Sequence, residues 1–129
     1  LVYVRNNLVT EDIKRWSKQA ALAADEKLGK DTVLLDVGDL VGITDVFVIT
    51  SGSNYRQVRA IVEEIEEQML LLDGPKAETI EGREYQEGSI WVLLDYGGFI
   101  VHVFDEETRA IYDLERLWND CPHIEWQED

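Results

Sequence analysis

Residues 91 to 104 read WVLLDYGGFIVHVF, an almost unbroken apolar run interrupted at its centre by two glycines. No other stretch constrains the fold so strongly. Gly97-Gly98 between runs of aliphatic, β-branched and aromatic residues suits the positive-φ positions of a two-residue hairpin turn. Pairing then steps outward from the turn: Tyr96 with Phe99, Asp95 with Ile100, Leu93 with His102, Trp91 with Phe104. Side chains alternate between faces, so this register gives the hairpin two unlike sides. Ile90, Val92, Leu94, Tyr96, Phe99, Val101 and Val103 form one side, almost purely apolar, which reads as core. Trp91, Leu93, Asp95, Ile100, His102 and Phe104 form the other, where a carboxylate and an imidazole interrupt an apolar set.

Two readings fit that second side. It is an interaction patch, since Trp is enriched at the energetic centres of interfaces. Alternatively, the first helix packs there and the residues are core. An ionised carboxylate under a helix needs a partner, so Asp95 favours exposure. The candidate partner-binding residues are Trp91, Leu93, Asp95, Tyr96, Ile100 and His102.

The rest of the chain supplies a sheet for the hairpin to join. Thr10 can cap a helix over 11 to 28, with Glu11 and Asp12 at its positive dipole end and Gly29 closing it. Its stripe is Ile13, Trp16, Ala20, Ala23, Ala24 and Lys27 or Leu28. Segments 32 to 37 and 46 to 50 are rich in β-branched and aromatic residues and look buried on two faces, which calls for helices on at least part of each sheet face. A second helix follows, capped by Ser53 or Asn54, with Val58, Ile61, Val62, Ile65, Met69 and Leu72 on its stripe and Asp73-Gly74-Pro75 ending it. The strand–helix–strand order implies a parallel pairing. A weak strand near 77 to 80, a Glu/Gly-rich loop at 81 to 88 and the hairpin complete a mixed sheet flanked by helices, an α/β fold. Asp105 can cap a last helical stretch, EETRAIYDLERLW. Residues 1 to 9 show no sustained period.

A chain of 129 residues suits one domain, here 1 to 129, with its core in 10 to 118 and an irregular tail over 119 to 129. Twenty-seven acidic against 12 basic residues give a net charge of −15, which argues against binding along a phosphate backbone. Such a surface favours a basic partner, or serves solubility alone. No apolar run approaches a membrane span, and no basic-then-apolar leader is visible at Leu1. Cys121 is the single cysteine, so no internal disulfide forms. A cytoplasmic protein is expected.

Catalytic chemistry is poorly supported by the same residues. Gly52-Ser53 lies between a strand and a helix, where free N–H groups can bind phosphate, but the chain has no P-loop Lys-Ser/Thr and no GxGxxG. A nucleotidyltransferase would add a pair of carboxylates two apart on a following strand to hold magnesium, and Asp95 stands alone. For an Asp95–His102 relay the nearby hydroxyls are poorly placed, Ser89 at the strand's start and Tyr96 on the other face. Two histidines and one cysteine without ligand spacing give no metal site, and no cofactor is expected. The competing function is a small metal-dependent nucleotidyltransferase with an unrecognised site.

Residues 10 to 118 resemble the ribosomal silencing factor family, also called the Iojap family. The likeness lies in Thr44-Asp45, Phe47-Val48-Ile49, Ser51-Gly52, Arg56-Gln57-Val58, Trp91, Leu94-Asp95, Val101-His102 and the closing Tyr112, Leu114, Glu115, Leu117 and Trp118. The resemblance implies a nucleotidyltransferase-like fold without the catalytic carboxylates. It implies binding to large-subunit ribosomal protein L fourteen, so that the small subunit cannot join and translation falls when nutrients are scarce. It also implies a homodimer when free. The tail after Trp118 reads as an end particular to this lineage.

Overall fold

The computed structural model describes residues 9–38, 42–85 and 89–127, so the first eight residues and part of the 81 to 88 loop lie outside the described residues. Its elements are α1 (Glu11–Glu26), β1 (Lys30–Asp36), β2 (Val46–Gly52), α2 (Tyr55–Leu71), β3 (Thr79–Glu81), β4 (Trp91–Asp95), β5 (Phe99–Asp105), α3 (Glu106–Tyr112), α4 (Leu114–Leu117) and β6 (His123–Ile124). Both long helices start as their sequences suggest. Thr10 Oγ1 accepts from the Ile13 N–H at 3.2 Å, and Asn54 Oδ1 accepts from the Gln57 N–H at 3.0 Å, each satisfying a donor that the first turn leaves free.

One mixed six-stranded sheet runs β3-β4-β5-β2-β1-β6. Among the described residues only β2 and β5 pair in parallel. The sequence implied a parallel pairing across the second helix, and β2 does have one, but not with the next strand. After α2 the chain passes to the far edge as β3 and returns through the hairpin, so that β5 reaches β2. β2, central and buried along its whole length, is apolar on both faces for that reason.

The hairpin has the expected register, with Asp95 opposite Ile100, Leu93 opposite His102 and Trp91 opposite Phe104. Its turn differs in one respect: of the two glycines Gly97 alone takes a positive φ, 84°, and the Gly98 N–H donates to the Tyr96 carbonyl at 3.1 Å. At Gly98 a Cβ would stand 2.7 Å from Ile13 Cδ1 of α1, so a larger residue there would require the end of the Ile13 side chain to move. The loop before β2 holds the turn from the other side. Thr44 Oγ1 donates to the Gly97 carbonyl at 2.9 Å and the Asp45 N–H to the Gly98 carbonyl at 3.0 Å.

α1 and α2 both pack on the first hairpin face. Ala20, Ala21, Ala23 and Ala24 of α1 and Val58, Ile61, Val62, Ile65 and Met69 of α2 join Val92, Leu94, Val101 and Val103 in the larger core. The small alanines let α1 approach the sheet closely. Leu72, placed by period on the α2 stripe, caps the helix end and is exposed.

Two C-terminal expectations need correction. The stretch EETRAIYDLERLW is two helices, because Asp113 adopts a left-handed conformation with φ 47° between them. Asp tolerates that region better than most residues, so a single-helix reading lacked an obvious breaker. The tail is not irregular throughout: β6 adds to the sheet edge, with Ile124 opposite Leu34 and His123 opposite Leu35. Two residues are too short to show a period.

Candidate partner-binding face

On the second hairpin face a smaller cluster forms from Leu35, Val37, Phe47, Ile49, Ile100, Phe104 and Cys121. Its cover is not the first helix. Leu114 and Trp118, at the ends of α4, pack against it, with the Trp118 and Phe47 rings 6.0 Å apart. This roof stops short of β4, and there Trp91 and Leu93 are only half-buried.

Trp91 lies against Phe104 at 4.9 Å between ring centroids and against Tyr112 of α3 at 4.8 Å. Its indole Nε1–H donates to Nδ1 of His102 at 3.1 Å. An indole nitrogen only donates, so His102 is neutral with its own proton on Nε2. His102 is 4% exposed, and Phe47 meets its ring edge-on at 4.6 Å. Burial pushes its pKa down from 6.5 to about 4. Asp95 has a different task. Its Oδ1 accepts from the Gly97 N–H at 2.8 Å, fixing the turn by the local bond that Asp side chains commonly make two residues on. The imagined Asp95–His102 relay is therefore not formed, since each group engages another partner.

The six residues singled out from sequence divide accordingly. Trp91 and Leu93 reach the surface, Asp95 is half-buried at the turn, and Ile100 and His102 lie beneath them. Tyr96 is on the opposite face, stacked on Phe99 at 4.9 Å, and burial raises its hydroxyl pKa to about 12. It does not join the other five.

Sequence reasoning missed the contribution of the short helices. Tyr112 is 49% exposed, Ile111 71% and Leu117 68%, so α3 and α4 carry large apolar side chains that the cores do not absorb. The available signal was an excess of apolar residues over what one face of a short helix can bury. A buried arginine anchors this pair. Arg109 donates through Nε and Nη2 to Glu115 at 3.1 and 2.9 Å, through Nη1 to the Lys30 carbonyl at 2.9 Å and Ser51 Oγ at 3.0 Å, and through Nη2 to the Asp31 carbonyl at 2.6 Å.

The Gly52-Ser53 loop is filled by the chain itself. Gln57 Oε1 accepts from the Ser53 N–H at 2.6 Å, while its Nε2 donates to the carbonyls of Lys27 and Leu28 at 3.2 and 2.9 Å. The glycine is needed because a Cβ would meet the Val58 nitrogen at 3.1 Å. Strand end and helix cap account for the motif. Among the described residues no group of three or more His, Cys, Asp or Glu side chains could hold a metal ion, and no helix is long and apolar enough to cross a membrane.

Residues 10–129 match the family described as ribosomal silencing factor during starvation. The match includes the tail. The chain is similar to the ribosomal silencing factor RsfS of Bacillus subtilis, 39% identical over 105 residues that cover 81% of this chain and 86% of that protein. A crystal structure of a Chromobacterium violaceum protein superposes with a TM-score of 0.75 at 33% identity, covering 83% of this chain and 86% of that one. Similarity extends to a mouse protein named mitochondrial assembly of ribosomal large subunit protein 1, 30% identical over 69% of this chain and 39% of that protein.

Proposed function

This chain belongs to the ribosomal silencing factor family, and we propose that it binds large-subunit ribosomal protein L fourteen and thereby keeps the small subunit from joining. The observation that carries the reading is the end of the outer face that the described residues leave half-open. Trp91, Leu93 and Tyr112 present an aromatic and aliphatic surface there, on a chain of net charge −15. Aromatic anchors supply binding energy, and surplus carboxylate charge steers and orients a basic ribosomal surface. The reading needs no bond to be made or broken, because a protein seated where the small subunit docks represses translation by occupying space. It acts in the cytoplasm, as a homodimer when free, and lowers translation when nutrients are scarce.

Co-sedimentation with isolated large subunits tests it, together with a subunit-joining assay. The parent protein should pellet with large subunits and reduce joining. Trp91→Ala should weaken binding by about thirtyfold, corresponding to about 2 kcal/mol for an interface anchor. Undiminished binding by a folded Trp91→Ala protein would remove this face from the interface.

A further inference from the structure

His102 is almost fully buried in β5, yet only one of its ring nitrogens has a partner. Nδ1 accepts from Trp91, which leaves the proton on Nε2, and Nε2 has no hydrogen-bond partner among the described residues. Three aromatic rings stand near its own, Phe47 at 4.6 Å, Trp91 at 5.9 Å and Phe104 at 6.3 Å, and Ile49 and Leu93 flank it on the neighbouring strands. An aliphatic residue would fill this space without stranding a donor, so the histidine weakens the fold relative to an apolar side chain of similar size. A buried group that breaks a packing rule without gain in stability points to a functional requirement.

The gain is at Trp91. Phe104 and Tyr112 contact its ring, but stacking tolerates a half-turn of the indole about its outer torsion, which is soft and roughly two-fold. A hydrogen bond to Nε1 does not tolerate it, because the flipped ring carries its N–H to the other side. We propose that His102 is a positioning residue for the partner-binding face: its Nδ1 holds the half-buried Trp91 indole in one orientation before a partner arrives. The proposal rests on the reading of this face as the ribosome-binding surface. A preordered anchor binds more tightly because less side-chain freedom is lost on docking.

The test compares His102→Leu, which removes the acceptor, with His102→Asn, whose Oδ1 stands near the position of Nδ1. In the parent, the Trp91 indole N–H, assigned in nitrogen-15 spectra by its loss in Trp91→Phe, should exchange with solvent more slowly than a free indole. In His102→Leu that protection should vanish while the melting temperature holds or rises, and affinity for large subunits should fall about tenfold, the effect of one ordering contact. His102→Asn should restore most of both properties. In a Trp91→Phe background, which has no N–H to hold, His102→Leu should cause no further loss of affinity. Unprotected Trp91 exchange in the parent itself would overturn the proposal, a result that needs no variant to fold. Equal loss of affinity in both backgrounds would also overturn it. Trp91→Ala binding like the parent would instead refute the partner-binding reading, while indole exchange would still report whether His102 fixes the ring.

Discussion

Replacing Arg109 should loosen the C-terminal helices more than any change on their surfaces. α3 has seven residues and α4 four, far below the roughly 12–15 that an isolated helix needs for even marginal stability in water. Their attachment is tertiary, and Arg109 supplies its polar part. The guanidinium spans two backbone carbonyls of β1, a hydroxyl of β2 and the carboxylate of Glu115. Arg109→Met would keep much of the side-chain volume but strand these acceptors. Removing one partner of a buried pair costs about 3–5 kcal/mol; Glu115 is 37% exposed and water can reach it, which favours the lower figure of about 3 kcal/mol. For a chain of this size that lowers the melting temperature by about 10 °C. Arg109→Lys should recover only a minor part, because an ammonium offers three donors at one atom, whereas the guanidinium spreads five bonds over four partners from three nitrogens. Thermal unfolding gives the size of the effect, and amide exchange should show protection lost first in 106 to 117. An Arg109→Met protein melting within about 3 °C of the parent would refute the assignment of Arg109 as the anchor.

Three further outcomes follow from the outer face. His102 is neutral in the folded protein, with its pKa lowered to about 4 against 6.5 unperturbed, so the unfolded chain takes up a proton first as pH falls. Stability from this group should therefore drop between pH 6.5 and 4, by up to about 3 kcal/mol, and a melting curve for His102→Leu with the same pH dependence as the parent would contradict it. Asp95→Asn keeps an oxygen for the Gly97 N–H and should melt like the parent while binding large subunits more weakly. Asp95→Ala should also lose about 1 kcal/mol of stability from the turn, so equal melting of the two variants would discard the turn bond. Purified protein with magnesium or manganese should transfer no nucleotide to RNA, protein or small molecules, and metal-dependent turnover abolished by Asp95→Asn would reverse that expectation.

The hairpin was legible because its information is local: two glycines set the turn and a period of two sets the faces. The helix stripes were legible for the same reason, and so was the mixed sheet. Partners across the chain were not. Nothing near residue 46 says that β2 will lie beside β5, since that pairing depends on where α2 delivers the chain. Nor does a periodic pattern reveal that both long helices choose one face, leaving the other to a roof held by Arg109. Tyr96 was grouped with the binding residues although alternation puts it with Val92 and Leu94, and the structure follows alternation. His102 was legible as an oddity in an apolar strand. Its role depends on Trp91 across the pair, 11 positions earlier in the chain.

The tail has a consequence for how the protein avoids sticking to itself. β1 would otherwise end the sheet with a bare row of amides and carbonyls, the surface on which strands of other molecules add. Residues 122 to 126 close it. The Asp36 N–H bonds to the Pro122 carbonyl at 2.9 Å, β6 pairs with Leu34 and Leu35, and the Trp126 indole reaches the Thr32 carbonyl at 2.9 Å. Below that seal β1 is irregular, with Asp31 at a positive φ and a break in its pairing register, so little straight edge is left. At the opposite margin β3 offers only three residues. A chain cut after Trp118 would lose these bonds and leave the β1 edge at Leu34 and Leu35 unpaired, open to strand addition.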